Sequence, residues 1–145
     1  MAYALSADLM QEARGTETVL HGDIHHFNIL HSAQRGWLAI DPKGIWGPRV
    51  YEYANSLCNP YMHGDIVANT KRMDRQASLI AETAGLDKNL LLKFTFLHAM
   101  QCAAWSLSAP DQKYWMACAE SAAKLSGLQK QNYDTVNSVI RQRLP

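Results

Sequence analysis

The stretch from Leu86 to Leu107 constrains this chain most. Leu90, Leu91, Leu92, Phe94, Phe96, Leu97, Met100 and Trp105 leave almost no polar face at helical spacing. A helix apolar on nearly all sides has to be covered all round, which places it at the centre of a bundle. The other home for such a helix is a bilayer, but Asp87, Lys88, Lys93, His98 and Gln101 interrupt it. A membrane span rarely carries that many polar groups. In 145 residues the cover must come from one domain, or from one lobe of a larger enzyme.

The flanking sequence supplies that cover. After Asp65, the apolar positions Ile66, Met73, Ala77, Ile80 and Ala84 fall on one helix face. Gly85 suits the left-handed residue that ends a helix, and Asp87 suits the next N-cap. Ser108-Ala109-Pro110-Asp111 reads as a capping box with proline in the first turn. That helix is expected to run to Leu125 and stop at Gly127. A last amphipathic helix carries Val136, Val139 and Ile140, and a first one spans Ser6 to Ala13. Between Thr16 and Gly47 the pattern changes to short apolar runs broken by Gly, Asn, Asp and Pro. VLHGD, NILHS and GWLAID predict three brief strands, with Ala33-Gln34-Arg35-Gly36 as a hairpin turn. The predicted fold is α+β and mostly helical, a bundle with a small β insert near its start and no repeat or linker.

Charge narrows the partners. Lys and Arg number 14 against 13 Asp and Glu, a net charge of +1. No basic footprint for nucleic acid or an anionic membrane follows from that balance. Apolar residues at 48% and charged ones at 19% exclude a disordered chain. Cys58, Cys102 and Cys118 are odd in number, far apart and form no C-x-x-C pair, which argues against a disulfide framework or structural zinc. The opening MAYALSADLMQEARG has no basic stretch leading into an apolar run, so it is not a secretory signal. The chain is expected to be soluble and cytoplasmic.

One segment carries the chemistry: His21-Gly22-Asp23-Ile24-His25-His26-Phe27-Asn28-Ile29-Leu30, followed by Ile40-Asp41-Pro42-Lys43-Gly44. Loops held at both ends by strands are where precise chemistry sits. Phosphoryl transfer needs a carboxylate to orient and deprotonate an attacking hydroxyl, and oxygen ligands for Mg²⁺ on the nucleotide phosphates. Asp23 suits the first task, and Asn28 and Asp41 the second. Asp23 and Asn28 are five positions apart, the spacing of a kinase catalytic loop, and Asp41 follows thirteen later.

HGDIHHFNIL and IDPKG together resemble the aminoglycoside phosphotransferase branch of the kinase-like superfamily. The Asp-Pro-Lys-Gly turn and Tyr51-Glu52-Tyr53-Ala54-Asn55 are most similar to its streptomycin 6-kinase and hydroxyurea phosphotransferase group. The resemblance implies Asp23 as catalytic base, Asn28 and Asp41 as Mg²⁺ ligands, and ATP as co-substrate. It makes His21 and His25 loop-structuring residues and sets Glu52 near a loop anchor. Lys43 is placed where its ammonium can approach phosphate, although a solvated loop lysine explains it equally. No G-x-G-x-x-G occurs among the eight glycines, and no strand lysine or adenine-gripping hinge is recognisable. Residues 1–145 thus resemble the C-terminal lobe of such a kinase without its nucleotide lobe, and the chain alone is expected to bind ATP weakly or not at all.

Blander and rival readings stand beside this one. His25 and His26 need be no more than neutral structural histidines, and His31, His63 and His98 surface or core residues. Trp37, Trp46, Trp105 and Trp115 read as packing residues. Asp65, Asp74, Glu82, Asp111, Glu120 and Asp134 read as a solvated face, unless a polycationic aminoglycoside draws some into a cleft. His21, Asp23, His25 and His26 also suit a metal-dependent phosphoesterase, which would need a second ligand motif. His63-Gly64-Asp65 is its one candidate, with no Asn-His after it. A third reading is a non-catalytic lobe that binds a partner, or self-associates as a homodimer, through the surface its partner lobe would cover.

Overall fold

The computed structural model describes residues 2–128, so the helix expected around Val136, Val139 and Ile140, together with Asp134, lies outside the described residues. The elements are α1 (Ala2–Glu12), β1 (Glu17–Leu20), a 3₁₀ turn at His26–Asn28, β2 (Ile29–Ser32), β3 (Gly36–Ala39) and β4 (Ile45–Pro48). A second 3₁₀ turn (Arg49–Tyr53) leads into α2 (Ala54–Leu57), α3 (Gly64–Val67), α4 (Thr70–Ala84), α5 (Lys88–Trp105) and α6 (Ala109–Ser126). The result is the mostly helical α+β arrangement that the patterning predicts.

Helix α5 is the central helix. Leu91, Leu92, Phe94, Phe96, Ala99, Met100 and Ala103 are buried around its circumference. Cys118, Ala119, Ala122 and Ala123 are buried on α6, and such small side chains let two helices lie close together. Met73 and Ala77 cover α5 from α4, and Leu9 contributes from α1. The predicted caps form: Asp87 accepts the Leu90 N–H at 2.6 Å and Ser108 the Asp111 N–H at 3.3 Å. Gly85 and Gly127 take the left-handed conformation at the two helix ends. Among the described residues no helix is long and apolar enough to cross a membrane.

Three expectations need correction. The single helix face drawn from Ile66 to Ala84 is broken at Ala68-Asn69, because the Asn69 side chain accepts the Arg72 N–H and caps a new helix. Ile66 is left on the short α3 and exposed. Trp105 does not pack in the core: it ends α5 with 70% of its surface exposed. The tryptophans of the β region are likewise outside, Trp37 at 73% and Trp46 at 71% exposure. A two-stranded ribbon has no neighbouring strands to complete a sheet, so apolar residues on it are not buried by strand pairing alone.

The strands pair in a nested order rather than as one three-stranded unit. β2 and β3 form the predicted hairpin, Ile29 opposite Ala39 and Ser32 opposite Gly36. β1 skips them and pairs antiparallel with β4, a strand absent from the sequence reading, with Leu20 opposite Ile45 and Glu17 opposite Pro48. Closing the β1–β4 ribbon around the hairpin brings residues 21–28 and 40–44 to one end of it. The Lys43 N–H donates to the His21 carbonyl at 2.8 Å, and the Ile40 N–H to the Asn28 carbonyl at 2.9 Å.

Candidate active site

The polar loop after β1 turns at Gly22, whose φ of +76° lies in the left-handed region that favours glycine. A Cβ there would sit 2.9 Å from Ile45 Cγ1, so a larger residue would also have to displace the Ile45 side chain. His21 holds the start of the loop with both ring nitrogens. Nε2 bonds the Ile40 carbonyl at 2.8 Å while Nδ1 accepts the Asp23 N–H at 3.3 Å, and one neutral tautomer satisfies both. His25 plays the matching part at the other end, its Nδ1 accepting the Phe27 N–H and capping the 3₁₀ turn.

The 3₁₀–α2 segment clamps the loop from below. Glu52 accepts the N–H groups of His21 and Gly22 at 2.7 and 3.1 Å. The Asn55 Nδ2 donates to Asp23 Oδ1 at 3.1 Å, and the Ser56 hydroxyl donates to the Ile24 carbonyl at 3.1 Å. Glu52, Asn55 and Ser56 are spaced i, i+3, i+4, so one helical face grips four successive loop residues. Asp23 is further approached by Lys43 Nζ, 3.3 Å from Oδ2, and by His25 Nε2, 3.7 Å from Oδ1. Lys43 reaches in from solvent, 60% of its side chain being exposed.

Asn28 is buried at 8% exposure and its Nδ2 donates to the Asp23 carbonyl at 3.0 Å. With the nitrogen so used, Oδ1 remains as an acceptor. Asp41 follows Ile40, the residue bonded to Asn28, and adopts a positive φ of 57° with an exposed, unpartnered carboxylate among the described residues. An amide oxygen and a carboxylate are the hard donors that Mg²⁺ takes alongside substrate phosphates. The donor set thus fits that ion. Among the described residues no three His, Cys, Asp or Glu side chains converge on a metal-sized site, which leaves the phosphoesterase reading without its ligand cluster. His26 stacks on Phe27 instead, with ring centroids 4.0 Å apart.

Residues 1–109 match the aminoglycoside/hydroxyurea antibiotic resistance kinase family. The chain belongs to that family. It is 37% identical over 89 residues to a streptomycin 3''-kinase of Klebsiella pneumoniae, covering 59% of this chain and 34% of that protein. A streptomycin 6-kinase of Streptomyces griseus is 28% identical over 115 residues, 74% of this chain and 36% of its own length. A hydroxyurea phosphotransferase of Kitasatospora aureofaciens is 30% identical over 91 residues, 63% and 25% respectively. The chain therefore spans between a quarter and about a third of the length of these relatives. No solved structure matches it.

Within this family member, several site residues were not foreseen. Asn55 closes the family-like Tyr51-Glu52-Tyr53-Ala54-Asn55 run and Ser56 follows it, and their helical spacing from Glu52 was the signal available. His98 had no local signal. It lies on α5 with Nδ1 3.1 Å from the Tyr51 hydroxyl, Nε2 3.6 Å from Cys102 Sγ, and its ring against Trp115. Burial, aided by the Lys43 charge and opposed by Asp23, brings its pKa down to about 4. Burial also lifts the Cys102 thiol to about 11. Of the acidic side chains on the helices, Asp74 pairs with Lys88 at 2.6 Å and Asp111 accepts the Tyr61 hydroxyl, while Asp65, Glu82 and Glu120 face solvent.

Proposed function

We propose that residues 1–145 form the C-terminal, catalytic and acceptor-binding lobe of a kinase-like phosphotransferase. It moves the γ-phosphoryl group of ATP to a hydroxyl of a streptomycin-like aminoglycoside or similar small molecule, as an antibiotic-resistance activity. The observation carrying this reading is the clamped loop: Asp23 is fixed by Asn55, while Asn28 Oδ1 and the Asp41 carboxylate are left as acceptors. In this scheme Asp23 orients the acceptor hydroxyl and takes its proton as the hydroxyl oxygen bonds to the γ-phosphorus. The bond from phosphorus to the bridging oxygen breaks, and ADP leaves. Asn28 and Asp41 would hold Mg²⁺, which supplies charge neutralisation at the phosphates. Lys43 can exchange its contact with Asp23 for one with phosphate.

Two comparisons support the kinase reading: the family match, and relatives named as streptomycin kinases and a hydroxyurea phosphotransferase. The test is a chimera in which this chain replaces the matching third of the Klebsiella relative. Phosphate transfer from ATP to streptomycin is expected, and its loss on Asp23→Ala. A chimera that folds but turns over equally with and without Asp23 sinks the assignment. By calorimetry the chain alone is expected to bind MgATP weakly.

The exposed apolar residues of the β region, Phe27, Leu30, Trp37 and Trp46, favour a second property, association through this region. Sedimentation equilibrium at micromolar concentration checks it: a dimer is expected, and a strict monomer counts against it.

A further inference from the structure

Asp23 sits at the end of a directed chain of side-chain amide hydrogen bonds that runs back through Asn55 to Asn59. Asn55 Nδ2 donates to Asp23 Oδ1 at 3.1 Å. Asn59 Nδ2 donates in turn to Asn55 Oδ1 at 3.1 Å and to the Asn55 carbonyl at 2.9 Å. Separately, the Asn59 backbone carbonyl accepts Arg72 Nη2 at 2.6 Å, which ties this segment to α4. A carboxamide is nearly symmetric in shape, so its partners alone decide which end points where. Turned over, the Asn55 amide would set its oxygen against the Asp23 carboxylate and its NH₂ against the NH₂ of Asn59. Both contacts repel, so the chain permits one orientation.

We infer that Asn55 is a positioning residue for Asp23, with Asn59 setting its direction, the Asn59 amide being itself fixed by its donation to the Asn55 backbone carbonyl. The inference rests on the phosphotransferase reading, in which Asp23 is the base. Its consequence is a division of labour between two carboxylate oxygens. Oδ1 is committed to Asn55, with His25 Nε2 also nearby at 3.7 Å. Oδ2 faces only the solvent-exposed Lys43 among the contacts of this carboxylate, so it is the oxygen presented to an acceptor hydroxyl. Small misplacements of such a group cost turnover steeply while leaving nucleotide binding alone.

The first test uses the full chain and needs no turnover. The side-chain amide resonances of Asn55 and Asn59 are followed by NMR on Asp23→Asn, which keeps the shape and removes the charge. A shift at Asn55, passed on to Asn59, is expected. An unmoved Asn55 amide overturns the inference. The second test measures the chimera with ATP and streptomycin. Asn55→Asp fills the same space without the donor, so it should be worse than Asn55→Ala, with kcat down about 10- to 100-fold and KM for ATP little changed. If Asn55 merely fills space, Asn55→Asp keeps full turnover, which overturns the inference. Asn59→Asp, which touches neither substrate nor Asp23, should lower kcat in the same direction by favouring the flipped amide. Full turnover in that variant overturns the orienting role. An inactive wild-type chimera would count against the phosphotransferase reading alone, and the amide shifts would still decide the relay.

Discussion

The carboxylate of Glu52 takes the backbone N–H of His21 at 2.7 Å across 31 residues of chain, and its second oxygen takes the next N–H, that of Gly22, at 3.1 Å. A loop with a left-handed glycine exposes N–H groups that no strand partner can reach. One ionised side chain satisfies two of them and thereby holds the residue next in line, Asp23. Hydrogen bonds to a charged acceptor are worth more than neutral ones. Glu52→Gln, which keeps the size but turns half of the acceptor into a donor, is expected to cost about 1.5–3 kcal/mol of stability. Urea unfolding of the chain measures it, and an unchanged midpoint would refute the clamp.

Asp23→Ala should separate fold from chemistry. Its carboxylate is held by Asn55 and lies outside the hydrophobic core, so the far-UV spectrum is expected to stay unchanged. In the chimera, turnover should drop by about 10²–10⁴, the usual contribution of a positioned base.

Asp41 offers a test of the Mg²⁺ assignment with little structural penalty. Its φ of 57° is a conformation that asparagine tolerates as well as aspartate. Asp41→Asn should therefore leave thermal stability within about 0.5 kcal/mol, as for a surface change. The Mg²⁺ concentration needed for half-maximal turnover in the chimera is expected to rise. An unshifted Mg²⁺ dependence would remove Asp41 from the ligand set.

His98 makes stability fall in acid. Its pKa, about 4 in the folded chain, lies below the ordinary 6.5, so the unfolded chain binds the extra proton between those values. The native state is undisturbed above pH 6.5 and loses ground progressively as pH falls towards 4. The full effect is about 3 kcal/mol. Unfolding free energy measured from pH 7 to pH 4 should show this slope, and His98→Gln should flatten it. An equal slope in both proteins would assign the acid sensitivity elsewhere.

What the sequence by itself determined was local. The all-round apolar run placed α5 at the centre, because no other arrangement keeps that much apolar surface from water. Asp87, Ser108, Gly85 and Gly127 marked helix ends through bonds that close within four residues. Asp23, Asn28 and Asp41 stood out because their types and spacing carry a chemistry. Only the tertiary structure decided how they are held. β1 passes over the hairpin to pair with β4, Asn69 restarts a helix that periodicity had joined, and Trp37, Trp46 and Trp105 stay outside. Asn55 becomes a partner of Asp23 across 32 residues, and the half-buried His98 bonds Tyr51 across 47. Caps and periodicities are energies of neighbouring residues and so are written along the chain. Strand pairing, burial and the direction of an amide depend on what arrives from far away, and those are settled only when the chain packs.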